Sequence, residues 1–220
     1  MKYFLDSAIT SEIETALEMW NIDGVTTNPR HVQASGKPFM TVIREIAGIF
    51  AGTDKPISVE VNPHFTDWHD MVAEAVKLAA ISPNFVIKLP ATEAGFKSVA
   101  VLADKGIRSN LTLVFSASQA LQAMRMGAAF VSPFIGWKEA SGEASAAFIQ
   151  DIVAIRDNYD FATEIIVAAV RTGHQIVESA VAAADIVTAG YAVYKDAFAH
   201  PYTDEGLKRF CNFWDQTKYE

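Results

Sequence analysis

Short apolar runs recur eight times along the chain, and longer stretches with apolar residues at helical spacing lie between them. The runs are Tyr3–Asp6, Gly24–Asn28, Ile57–Val61, Phe85–Pro90, Asn110–Phe115, Phe130–Phe134, Ile165–Val170 and Ile186–Thr188. Most are continuously apolar, the pattern of parallel strands covered on both faces. Among the intervening stretches, Ser11–Trp20 carries acids in its first turns, and Asp67–Ala80 places Met71, Val72, Ala75, Val76 and Leu78 at helical spacing. Ser116–Met126 opens on a serine suited to capping; Gly173–Ala183 and Asp204–Thr217 complete the set. Strand alternating with helix eight times in about 200 residues predicts an α/β fold, a (β/α)8 TIM barrel near its minimum size with a C-terminal helix. A doubly wound sheet fits less well, because no Gly-rich dinucleotide fingerprint follows any strand. No linker or low-complexity stretch interrupts the rhythm, so residues 1–220 are expected to form one barrel domain.

Composition narrows the partners. Half the residues are hydrophobic and 20% are charged, which allows a sizeable core. The net charge of −8 makes the chain a poor nucleic-acid binder, since affinity for a polyanion comes mostly from cationic contacts. A small anionic substrate is not excluded, because it needs only a local cationic pocket. Cys211 stands alone, so neither an intrachain disulfide nor a multi-cysteine metal site is expected. His31, His64, His69, His174 and His200 show no ligand spacing, and no metal or cofactor is expected. Met1–Ser11 lacks the apolar stretch of a signal peptide. The most apolar run, Ile165–Val170, is far below the roughly 20 residues a membrane helix needs. A cytoplasmic protein with no membrane partner is the expectation.

In a barrel of this kind the chemistry sits where strands end and βα loops begin. The polar residues in or just after the strands are Asp6, Thr26, Thr27, Asn28, Glu60, Asn62, Lys88, Asn110, Thr112, Ser132 and Arg171. Tolerating so many buried polar groups without a purpose is expensive, a few kcal/mol for each one left unpaired. Lys88 is the sharpest signal, lying in Phe-Val-Ile-Lys-Leu-Pro, a strand otherwise built for burial. Desolvation there favours the uncharged amine, the form that attacks a ketone to make a Schiff base. The alternative is a lysine that snorkels, or that pairs with Glu60 or Asp6. Schiff-base chemistry also needs a proton carrier. Asp6 and Glu60 supply two carboxylates, and Thr112 can hold a water with one of them. Asp6 could instead cap the following helix.

Five segments carry a family resemblance. They are Phe4–Ala8 (FLDSA), Gly24–Pro29 (GVTTNP), Val86–Pro90 (VIKLP), Asn110–Ser116 (NLTLVFS) and Val131–Gly136 (VSPFIG). Together they resemble the class I transaldolases, in the small subfamily that includes the fructose-6-phosphate aldolases. The resemblance implies a (β/α)8 barrel with Lys88 as Schiff-base lysine and Asp6 as acid/base. It assigns the catalytic water to Glu60 and Thr112, and the hydroxyls of a dihydroxyacetone unit to Thr26, Asn28, Asn110 and Ser132. Glu60 stands where transaldolases carry Glu and the aldolases carry Gln, which favours transfer over simple cleavage.

The departures from the family pattern concern the substrate's tail. Trp137 replaces an Arg, Ala169 replaces a Ser of the seventh strand, and Arg30-His31 replaces a Ser after Asn-Pro, while Arg171 remains. Fewer cations, an indole N–H and an apolar wall suit a monoanionic sulfonate better than a phosphate. The pattern resembles a sulfosugar-using branch of the family, with Arg30, Trp137 and Arg171 at the tail and Lys138 a weaker candidate. The implied reaction cleaves 6-deoxy-6-sulfofructose to 3-sulfolactaldehyde and passes the dihydroxyacetone unit to glyceraldehyde 3-phosphate, giving fructose 6-phosphate. A phosphosugar aldolase or transaldolase is the alternative, and a non-catalytic barrel that senses an anionic sugar is a third reading. Phe210, Phe213 and Trp214 cluster on the last helix; the resemblance implies that this helix joins a homo-oligomer, a pentamer or decamer.

Overall fold

A computed structural model describes all 220 residues. Its centre is a closed barrel of eight parallel strands in chain order: β1 (Lys2–Asp6), β2 (Gly24–Thr26), β3 (Ile57–Glu60), β4 (Phe85–Pro90), β5 (Ser109–Val114), β6 (Phe130–Pro133), β7 (Glu164–Val170) and β8 (Ile186–Ala189). β8 closes the ring by pairing Phe4 with Thr188. The eight predicted strands are thus all present, and with the helices around them they make the expected (β/α)8 barrel.

Side chains alternate between the two faces of a strand. Odd-numbered strand residues, such as Leu5, Val25, Ile57, Val59, Ile87, Leu89, Leu111, Val131, Ile165, Val167 and Val187, are buried in the large core between strands and helices. Even-numbered residues point into the barrel. At its lower end Phe4, Val86, Phe130, Ile166 and Ile186 form a separate apolar cluster. The Phe4 and Phe130 rings meet edge to face at 6.2 Å. Gly24 faces this layer because a Cβ there would sit 2.7 Å from the Phe4 ring. Higher up the even positions turn polar, with Thr26, Ser58, Lys88, Asn110, Thr112, Ser132 and Thr188 all buried.

The outer layer holds α1 (Thr10–Trp20), α2 (Pro29–Ala34), α3 (Phe39–Ile49), α4 (Trp68–Ala79), α5 (Glu93–Asp104), α6 (Ala117–Arg125), α7 (Ile135–Ala140), α8 (Ser145–Asn158), α9 (Gly173–Val181), α10 (Tyr191–Phe198) and α11 (Pro201–Asp215). Six of these, α2, α3, α5, α7, α8 and α10, were not picked out individually from the apolar spacing. The second strand stops at Thr26, not Asn28, because Asn28 caps α2 by accepting from the His31 N–H and Pro29 takes the first helical position. The last helix begins three residues earlier than Asp204, with His200 as cap and Pro201 at its start. Ser116 caps α6 as expected, in a reciprocal capping box with Gln119.

Two strands bulge at the top. β5 gains a residue between Leu111 and Val114, and β7 between Val167 and Val170. Leu113 and Ala169 take up the irregularity at φ 58° in each case, the left-handed region that a non-glycine residue occupies only under constraint. Both residues face the mouth that the bulges help to shape. α11 presents Phe210, Phe213 and Trp214 to solvent together with Tyr202 and Leu207. No helix is long and apolar enough to cross a membrane.

Candidate active site

The strand tops enclose a cavity of about 270 Å³ lined by Asp6, Thr26, Glu60, Lys88, Thr112 and Ser132. α2 contributes Arg30 and His31 to one wall, and Phe134 with Trp137 forms another. Of the residues singled out in the sequence, Asp6, Thr26, Asn28, Arg30, Glu60, Lys88, Thr112, Ser132 and Trp137 line this space, whereas Thr27, Asn62, Asn110, Lys138 and Arg171 do not.

Lys88 rises from β4 opposite Glu60 on β3, the two being direct register partners. Its side chain is 5% exposed, and Nζ donates to the Thr27 carbonyl at 3.0 Å. Glu60 Oε2 lies 3.6 Å from the same nitrogen, so the lysine is buried and paired, not snorkelling. Burial raises the Glu60 carboxyl above its ordinary range, and the Lys88 cation only partly offsets this. The Glu60 carboxyl beside Lys88 is therefore a group that readily takes a proton.

Asp6 does not cap α1, whose cap position is Ile9 with no side-chain bond. It turns into the barrel. Oδ1 accepts from Thr26 Oγ1 at 2.7 Å, and Thr26 Oγ1 lies a further 2.7 Å from Thr188 Oγ1. Oδ2 sits 3.0 Å from His31 Nε2. Burial pushes the Asp6 carboxyl up, but hydrogen bonding and charge from His31, the Lys88 cation and the Thr26 hydroxyl outweigh it and leave it low. Two carboxyls at one mouth are thus driven in opposite directions, the arrangement that separates proton-donating from proton-accepting roles.

Beneath this level runs a buried chain, Ser132 Oγ to Asn110 Oδ1 at 2.8 Å and Asn110 Nδ2 to Ser58 Oγ at 3.0 Å. Asn110 is spent on the floor, which stiffens the platform under Lys88, its register neighbour. Thr112 differs. Its Oγ1 is buried and has no protein partner, so the hydroxyl is left for something in the cavity.

The rim is aromatic and cationic. Trp137 is 56% exposed and packs on Phe115 at 5.7 Å and edge-on to Phe134 at 5.9 Å. Arg30 is exposed at the start of α2. Arg171 is exposed at the end of β7 beside Gly136, where a Cβ would lie 3.0 Å from its Nε. Lys138 turns away to the Phe115 carbonyl and Glu143. A larger cavity of about 420 Å³ adjoins the mouth through Asn28, Pro29 and Glu60, but no lysine or arginine lines it. No group of three or more His, Cys, Asp or Glu side chains is gathered as a metal-binding set.

Two features carried no separate sequence signal. His31 was visible only as a departure after Asn-Pro, yet it bonds Asp6. The helix-capping geometry at Asn28 is the cue, because first-turn side chains lean back toward the N-terminus and so over the strand ends. The bulges at Leu113 and Ala169 had no cue at all, since neither residue type favours positive φ.

The family described as transaldolase/fructose-6-phosphate aldolase matches residues 3–219. A 6-deoxy-6-sulfo-D-fructose transaldolase of Priestia aryabhattai is 58% identical over 221 residues, spanning 100% of this chain and 98% of that protein. The protein of the same name from Priestia megaterium gives the same figures, 58%, 100% and 98%. A probable transaldolase of a Sulfurihydrogenibium species is 44% identical over 215 residues, spanning 98% of this chain and 97% of its own length.

Proposed function

Because the chain belongs to the transaldolase/fructose-6-phosphate aldolase family and is a transaldolase, we propose that it works through a Schiff base on Lys88 and that its donor is 6-deoxy-6-sulfofructose. The observation that carries the mechanism is the buried Lys88 amine with Glu60 at 3.6 Å, Asp6 on the same cavity and an unpartnered Thr112 hydroxyl beside them. Glu60 takes the lysine's proton, freeing the nitrogen lone pair to add to the C2 ketone. The carbinolamine loses water to an iminium, with proton transfers through Glu60 and a water held by Thr112. Asp6 then removes the C4 hydroxyl proton, and the C3–C4 bonding electrons flow to the iminium nitrogen. 3-Sulfolactaldehyde leaves and a three-carbon enamine remains on Lys88. Its carbon attacks the aldehyde of glyceraldehyde 3-phosphate, Asp6 returns the proton to the new hydroxyl, and hydrolysis releases fructose 6-phosphate.

Thr26, Asn28 and Ser132 surround the dihydroxyacetone unit in this reading, and Asn110 supports them from the floor beneath. Thr26 and Asn110 act mainly by fixing Asp6 and the floor, since their side chains are already bonded. Arg30, Trp137 and Arg171 form the tail site. The names of the two Priestia relatives support a sulfonated donor, and the mixed aromatic and cationic rim suits a sulfonate. The exposed aromatic face of α11 supports assembly into a homo-oligomer, whose copy number is set by contacts between chains. A cytoplasmic site of action accords with the phosphorylated acceptor.

Borohydride reduction in the presence of sulfofructose tests the mechanism. A reduced three-carbon or six-carbon adduct on Lys88 is expected, and its absence would overturn the Schiff-base reading. Donor competition tests the substrate, using glyceraldehyde 3-phosphate as acceptor for sulfofructose and a neutral aldehyde as acceptor for fructose 6-phosphate. Wild type should prefer sulfofructose, and Trp137→Arg should shift turnover toward fructose 6-phosphate. A wild type that ignores sulfofructose while cleaving fructose 6-phosphate well would establish the phosphosugar alternative.

A further inference from the structure

We propose that His31 is a positioning residue for Asp6, holding its carboxylate aimed into the cavity during C3–C4 bond cleavage. The inference rests on the reading of Asp6 as the proton carrier and deepens it. Its basis is geometric. His31 occupies the first turn of α2, where Asn28 fixes its backbone at 3.1 Å and Pro29 sets the helix start. This places Nε2 3.0 Å from Asp6 Oδ2, while Thr26 holds Oδ1 at 2.7 Å. Each carboxylate oxygen thus has one side-chain partner on a different element, and the carboxylate plane cannot turn without breaking one of them. A carboxylate gripped at both oxygens keeps a free lone pair on each in a fixed direction, which is what taking a proton from a positioned substrate hydroxyl requires.

The pair also sits between two environments. Asp6 and His31 side chains are 21% and 23% exposed, so the imidazole covers the carboxylate at the edge of the cavity. The other charged or titratable groups facing Asp6 are Lys88 from β4 and Glu60 from β3; Tyr194 from α10 lies behind β1, bonded to the Phe4 and Val187 carbonyls, and Arg30 neighbours His31 on α2. Lys88 also holds Asp6 low, but it becomes an iminium and then an enamine during turnover, and the enamine carries no cation. His31 and Thr26 are the donors that remain throughout, and His31 is the one that meets Oδ2, so that oxygen keeps its partner when the charge on Lys88 is gone.

The test compares His31→Leu, His31→Gln, Asp6→Asn and the double variant Asp6→Asn/His31→Leu by full kinetics and pH profiles. Glutamine can place an amide donor near the position of Nε2, whereas leucine cannot. His31→Leu should lower kcat by about 10- to 100-fold with KM nearly unchanged. Its acidic limb in kcat/KM should move to higher pH, because Asp6 loses the donor that keeps it low. His31→Gln should recover most of the rate. Adding His31→Leu to Asp6→Asn should bring little further loss, since both act on one carboxylate. A rise in KM alone with the acidic limb unmoved would overturn the proposal in favour of direct substrate contact, as would losses that multiply in the double variant. A fully active Asp6→Asn would overturn it together with the role of Asp6, whereas an inactive Asp6→Asn beside a normal His31→Leu would remove only His31.

Discussion

The two ends of the barrel interior are built from side chains of the same even parity on the same strands, yet they do opposite work. Phe4, Val86, Phe130 and Ile166 fill the lower layer with apolar atoms and leave no polar group to satisfy. Two residues further along β1, β4, β6 and β7 stand Asp6, Lys88, Ser132 and Ala168, three of them polar. The lower layer is secured by contact area, and its stabilisation grows with each methylene removed from water. The upper layer gains little from burial and depends on hydrogen bonds that must all be in place. Stability and chemistry are thereby separated by two residues of strand, about 7 Å.

Mutations at the two ends should therefore fail differently. The largest effect is expected at Lys88→Met, which should reduce turnover by roughly 10⁴-fold or more while leaving the thermal midpoint at or above that of wild type. Melting and activity measured on one preparation check both halves. At the other end, Phe130→Ala should cost about 3–5 kcal/mol of stability with kcat near wild type in the folded fraction, read from denaturant unfolding beside active-site titration. A Phe130→Ala protein that melts normally but is inactive would break the comparison. Next in size, Thr112→Val should lower kcat by about 10- to 100-fold and leave stability unchanged or slightly raised, because the hydroxyl it removes is buried without a protein partner. A clear loss of stability would show that the hydroxyl is structural.

The smallest effect is a pH-dependent one at Glu60. Its carboxyl is raised in the folded protein, so the native state binds that proton more tightly than the unfolded chain. Stability from this group is full below the unfolded value and is lost as pH rises through the folded one. Glu60→Gln should therefore melt above wild type at pH 8, with the gap closing toward pH 4. Asp6, which is lowered, has the opposite sign: its contribution is present above the unfolded value and fades as pH falls through the folded one. Melting curves across that range for Glu60→Gln and Asp6→Asn should diverge in opposite directions from wild type.

The strands were legible because their outward residues must be apolar to cover the helices, and the inward ones in the lower half are apolar as well. Lys88 stood out because a lysine breaks such a run. Its partner was legible only as a choice between Glu60 and Asp6; the direct β3–β4 register decides for Glu60. Asn110 read as a substrate contact from its place in the strand, but it lies a level lower than Thr112 and is consumed by Ser58 and Ser132. Arg171 was legible from its position after β7; the bulge at Ala169 and the close approach to Gly136 set it at the exposed rim, outside the lining of the cavity itself. The short helices α2 and α7 leave no periodic trace in the sequence, because six residues hold fewer than two turns.

The eightfold alternation, the barrel it closes into and the residue types at its upper end are readable from the chain alone. These follow from local rules, burial on two faces and capping, that act within a few residues. Pairing is fixed only by the folded arrangement: Lys88 with Glu60, Asp6 with both Thr26 and His31, Ser132 with Asn110, and Thr112 with nothing in the protein. Such pairs depend on strand register, on two bulges and on the turn into α2, each a difference of an ångström or two between residues far apart in the chain. Proton chemistry is decided at that distance, because a hydrogen bond is made or lost within less than an ångström.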